Sequence, residues 1–155
     1  MNPIKRILWP TDFSEEARRA LPLVNAFARD FSAQVDVVHV LSPVPAMAAT
    51  DGSAALAMNE YIKSAEQHAR KTACDIVETD IDAGIPTRWD VLTGSPPSEI
   101  ANYALQNEID LIILATNGET GLARLITGSV AEKVVRLAPC PVLSVPPAPD
   151  ADDEA

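Results

Sequence analysis

The residues best suited to chemistry in this chain lie in one stretch, Ala115-Thr116-Asn117-Gly118-Glu119-Thr120-Gly121-Leu122-Ala123-Arg124-Leu125-Ile126-Thr127-Gly128-Ser129. It leaves an apolar run, Leu111 to Ala115, turns on glycines and delivers Gly128-Ser129 to a helix start. Glycine lets an anion approach the main chain with no Cβ in the way. The unpaired N–H groups of a first helical turn, at the positive end of the helix dipole, then attract that anion. The chemistry offered is anion binding by backbone. The same residues also suit a plain surface connection, since Ser129-Val130-Ala131-Glu132 is a capping box that opens a helix by itself. There is no GxxxxGK[ST] motif, and the loop from Gly118 to Gly128 holds neither a lysine nor an evident general base.

Such a loop needs a strand behind it and a helix ahead of it, and the chain supplies both repeatedly. Ile4 to Trp9 is a short apolar run stopped by Pro10 and reads as a buried strand. Ser14 is a candidate N-cap with Glu15 and Glu16 in the first turn. Ala17, Ala20, Leu21, Val24, Phe27, Ala28 and Phe31 follow at helical spacing, which predicts one helix bent at Pro22. Val35 to Leu41, apolar except for Asp36 and His39, is a second strand, and residues 42–53 are expected to form a loop. Met58, Tyr61, Ile62, Ala65, Ala69 and Ala73 predict a second helix, and Trp89 to Thr93 a third strand. Ser95 and Pro96 suit the N-cap and first position of a third helix running through Asn107. Leu111 to Ala115 is the fourth strand. A fourth helix from Val130 is ended by Pro139-Cys140-Pro141, and Val142 to Val145 is a last strand at a sheet edge. Strictly alternating strands and helices predict a parallel sheet covered on both faces, with ligands beyond the carboxyl ends of the strands.

Composition narrows the function. With 155 residues the chain fits one domain. Its net charge is −10; four of those charges lie in the last six residues, leaving −6 on the body. An acidic surface argues against nucleic acid and anionic membrane as partners, while a single backbone site can still hold a small anion. No apolar run approaches membrane-spanning length, and the N-terminal apolar segment is too short for a secretory signal. Cys74 and Cys140 lack ligand or disulfide spacing, so they read as free thiols of a reducing, cytoplasmic compartment. His39 reads as a structural strand histidine and His68 as a helix-surface residue. Residues 146–155, rich in proline and acid, are expected to be a disordered tail after a domain of 1–145.

The segment Leu111–Val145 resembles the universal stress protein signature, Gly-x2-Gly-x9-Gly-Ser/Thr after a fourth strand: Gly118, nine residues and Gly128-Ser129 match its last two parts. Lys5 to Ser14 resembles that family's opening strand and loop. His39-Val40 resembles the end of its second strand, and Val130 to Leu143 its closing helix and strand. The resemblance implies a three-layer α/β sandwich of the adenine nucleotide alpha-hydrolase kind, with a five-stranded parallel sheet in the order 3-2-1-4-5, and a homodimer. It further implies ATP as ligand, with Mg²⁺. Carried over by position, Pro10, Thr11, Asp12 and Val40 serve adenine and ribose. Gly118, Gly128, Ser129 and Val130 serve the phosphates, with Ala115 and Asn117 in the same loop. Two residues depart from the pattern: Ala115 stands at the first glycine position, and Glu119 adds a carboxylate that Mg²⁺ or Arg124 would have to offset. The expected function is a stress-response module that binds ATP and signals through its conformation or dimer contacts to a protein partner. The dimer is expected through Val142 to Val145, where self-pairing would remove an exposed edge. A nucleotide-free interaction module and a very slow ATPase are the alternatives.

Overall fold

The structure, a computed structural model, describes residues 3–43, 52–116 and 130–146. In chain order the elements are β1 (Arg6–Pro10), α1 (Glu15–Arg18), α2 (Leu21–Phe31), β2 (Gln34–Leu41), α3 (Gly52–Thr79), β3 (Thr87–Thr93), α4 (Pro96–Gln106), β4 (Leu111–Ala115), α5 (Val130–Leu137) and β5 (Val142–Val145). The five strands form one sheet in the order β3-β2-β1-β4-β5, every pairing parallel, as the resemblance implied.

The pleat of the strands builds two cores. Ile7 and Trp9 of β1, Val35 and Val37 of β2 and Ile113 of β4 point to one face. There they meet Leu21, Val24 and Ala28 of α2 and Ile76 of α3. The alternate residues Leu8, Val38, Ile112 and Leu114 point to the other face, against Ile100 and Ala104 of α4 and Ala131 and Val134 of α5. The central strands β1 and β4 are apolar on both sides because both sides are covered, hence their unbroken apolar runs.

The single bent helix expected over residues 14–31 is instead two helices. Ser14 caps α1, its Oγ accepting from Ala17 N at 3.1 Å. The chain then makes a fresh start after Ala20, with Pro22 in the first turn of α2. Proline has no N–H to continue the earlier ladder but suits a helix start, so the break falls just before it. α3 begins at Gly52, inside the segment read as loop, and residues 44–51 lie outside the described residues. Ser95 does occupy the N-cap of α4, although its side chain makes no capping hydrogen bond. Ahead of it, Gly94 has φ 153°, and a Cβ there would stand 2.7 Å from the Glu99 side chain. Cys74 and Cys140 are both free and partly buried.

One part of the core is polar. Asp36, fully buried on β2, accepts from Arg88 Nη2 of β3 at 2.6 Å, from Tyr103 Oη of α4 at 3.2 Å and from Gln34 Nε2 at 2.5 Å. Arg6 of β1 lies 3.8 Å away and donates to the carbonyl of Asn107. Burial, and then the Asp36 charge, push the Tyr103 hydroxyl up to about 12, so it stays a neutral donor to the carboxylate. These groups sit at the amino ends of the strands, opposite the end where a doubly wound sheet takes its ligand. They tie three strands and a helix together, and the reading of the sequence passed over them.

Candidate functional site

Strand order reverses between β1 and β4: β2 and β3 lie on one side of β1, β4 and β5 on the other. A crevice opens at such a switch point, beyond the carboxyl ends of the two strands. β1 and β4 run in register from Ile7 opposite Leu111 and Leu8 opposite Ile112. Carried forward, that register brings the residue after β1, Thr11, level with Ala115 at the end of β4. Pro10 pairs with Val38, so Val40 stands two residues further along β2. Pro10, Thr11, Asp12, Val40 and Ala115 therefore collect at one end of the sheet. Val130 is the first residue of α5, with its side chain half-exposed. Asn117, Gly118, Gly128 and Ser129 lie outside the described residues.

The loop after β1 is held from several sides. Thr11 is buried; its N–H donates to the carbonyl of Val38 at 2.9 Å, extending the β1–β2 ladder by one residue. Its Oγ1 accepts from the N–H of Phe13 at 3.0 Å. The Asp12 carboxylate accepts from Ser14 N at 3.0 Å and Ser14 Oγ at 2.5 Å, so it braces the residue that caps α1. Ser14, not Asp12, is the cap. Asp12 is half-buried, two residues beyond the carboxyl end of β1. Between them Phe13 adopts φ 67°, the left-handed region, which costs a residue with a Cβ ~1 kcal/mol or more.

His39 pins that loop. Its Nδ1 lies 2.8 Å from the carbonyl oxygen of Thr11, and its ring stacks on Phe13 with centroids 4.3 Å apart and planes at 25°. A carbonyl oxygen only accepts, so Nδ1 carries the hydrogen. The sequence placed His39 on a strand as a structural residue, but gave no signal that it reaches across to the loop. That contact depends on a neighbouring strand and on a left-handed phenylalanine.

A side chain at position 115 would be obstructive only if the backbone there had a positive φ. The non-glycine residues with positive φ among those described are Phe13, Ser32 and Glu108. Ala115 therefore ends β4 with ordinary extended backbone and pairs with Val145. At such angles a methyl group is no obstacle. Among the described residues, no group of three or more His, Cys, Asp or Glu could hold a metal ion. Nor is any helix long and apolar enough to cross a membrane.

Comparison with known proteins returns the same architecture. A family model, "Universal stress protein family", matches residues 3–146. Universal stress protein MJ0531 of Methanocaldococcus jannaschii is 35% identical over 145 residues, covering 93% of this chain and 83% of that one. The solved structure of the hypothetical protein MJ0577 superposes with a TM-score of 0.81 at 30% identity, covering 96% of this chain and 100% of its own. More distantly, a universal stress protein from Archaeoglobus fulgidus, solved in complex with dAMP, shares the fold with a TM-score of 0.52 at 24% identity, covering 93% of this chain and 98% of its own.

Proposed function

The chain belongs to the universal stress protein family, and from that membership we propose that it is a cytoplasmic stress-response module that binds ATP, with Mg²⁺, at the carboxyl ends of β1, β2 and β4. The observation that supports this most is the meeting of Pro10–Asp12 with Val40 and Ala115 at the switch point. The sequence then supplies Gly118 shortly after β4 and Gly128-Ser129 immediately before α5. In this reading Pro10, Thr11, Asp12 and Val40 hold adenine and ribose, with the Asp12 carboxylate accepting from a ribose hydroxyl. Ala115 and Asn117 shape the loop, and Gly118, Gly128, Ser129 and Val130 offer main-chain N–H groups to the phosphates. Mg²⁺ enters as a companion of the phosphates, offsetting Glu119, because the described residues provide no metal site of their own. Without a Walker lysine or a placed base, hydrolysis is slow and the bound nucleotide acts as a signal. Nucleotide retained by the purified protein, measured in an acid extract, tests this reading; extracts free of adenine absorbance favour a nucleotide-free interaction module.

The signal would pass through a homodimer. β5 is an edge strand, and the exposed Val135 and Leu137 belong to α5, the helix that leads into it. Pairing β5 with its symmetry mate would cover that edge. Val142→Lys should halve the mass seen by light scattering, while the circular dichroism of the sheet persists; an unchanged mass would exclude this interface. Residues 146–155, which lack apolar anchors apart from scattered alanine and proline, are proposed to be a separate tail. Their deletion should leave the thermal midpoint unmoved, and a clear drop would show that they dock on the domain.

A further inference from the structure

We propose that His39 is a positioning residue that sets the ribose selectivity of the site, acting through the Thr11–Phe13 loop without touching the nucleotide itself. The inference rests on the nucleotide reading above and adds to it the device that places Asp12.

His39 belongs to β2, a strand paired on both sides and therefore a rigid mount. Its neighbour Val40 faces the α4–α5 core, so the pleat sends the His39 ring to the opposite face, over the end of β1. There the ring makes two contacts of different kinds. Nδ1 donates to the carbonyl of Thr11 at 2.8 Å, and the ring plane lies against Phe13 at 4.3 Å. The first contact fixes the residue before Asp12 and the second fixes the residue after it. Phe13 needs such a hold, because its φ of 67° is disfavoured for any residue other than glycine. A carboxylate bracketed in this way can discriminate between ribose and a sugar lacking hydroxyls. On a loose loop the same carboxylate would follow its hydration instead, and discrimination would fall.

The test is titration calorimetry of ATP and 2′,3′-dideoxy-ATP on the wild-type chain and four variants. Wild-type protein should prefer ATP by about tenfold, the size of one charge-assisted hydrogen bond. Asp12→Ala should abolish the preference. His39→Phe keeps an aromatic ring against Phe13 but loses the donor, and should reduce the preference to about twofold or less. His39→Asn, whose amide can donate from nearly the place of Nδ1, should recover part of it. Combined with Asp12→Ala, His39→Phe should add no further loss, since both act on one contact. Should His39→Phe fail to fold, Phe13→Leu removes the stacking partner alone and should lower the preference as well. Variants at His39 and Phe13 that keep the wild-type preference, whatever happens to their thermal midpoint, would overturn the positioning role. Wild-type protein that binds neither nucleotide would instead sink the nucleotide reading, and this inference with it.

Discussion

Gly128→Val should abolish ATP binding, raising Kd about 100-fold or more, while the far-ultraviolet circular dichroism stays that of the wild type. Gly128 immediately precedes Ser129 and the first residue of α5, Val130. If phosphate oxygens lie against the N–H groups there, an isopropyl group stands where they must approach. Loss of two hydrogen bonds to a charged group, each ~1.5–3 kcal/mol, accounts for a change of that size. The fold should not suffer equally, because the sheet and both cores are assembled from other residues. Ala115→Gly provides the contrast. Ala115 already has extended backbone, so restoring the family's glycine should leave affinity unchanged or slightly improved. Calorimetry on the two variants decides. Wild-type affinity in Gly128→Val would move the phosphates away from this loop.

The largest stability effect should come from the other end of the sheet. Arg88→Met removes the main counter-charge of Asp36, which is fully buried, while the Arg88 side chain is 46% exposed. The asymmetry decides which variant suffers more. An arginine that loses its carboxylate can swing into water; an aspartate that loses its arginine stays where it is. Tyr103, Gln34 and the more distant Arg6 remain and soften the loss. Arg88→Met should therefore cost about 2–3 kcal/mol, which in a chain of this size lowers the thermal midpoint by roughly 5–10 °C. Asp36→Val in the Arg88→Met background removes the stranded charge and should recover more than half of the loss. Denaturant unfolding of the two variants checks this. A cost for Arg88→Met within about 0.5 kcal/mol, the size of an ordinary surface substitution, would show that the pair contributes no net stability.

Most of the fold was legible in the sequence for one physical reason: a parallel sheet covered on both faces demands apolar strands and amphipathic helices in alternation. Leu111 to Ala115 could hardly be anything but a central strand. What escaped the sequence depends on partners distant along the chain. Asp36 looked like a polar exception in an apolar strand because its partners, Arg88 and Tyr103, lie 52 and 67 residues away. Pro22 was expected to bend a single helix, but the chain breaks there into two because the proline can open α2. Of the proposed site, the part at the strand ends could be located from the sequence, because Pro10, Thr11, Asp12, Val40 and Ala115 each stand at or just beyond the carboxyl end of an apolar run. His39 and Phe13 join them by a contact that no spacing rule encodes, since it requires a left-handed residue that is not glycine.

The central claim is nucleotide binding at that switch point, and titration of the wild-type chain with ATP and Mg²⁺ tests it most directly. A saturable heat at one site per chain, lost in Gly128→Val, is the predicted result. No heat with ATP at roughly millimolar concentration, a binding free energy weaker than about −4 kcal/mol, would contradict it.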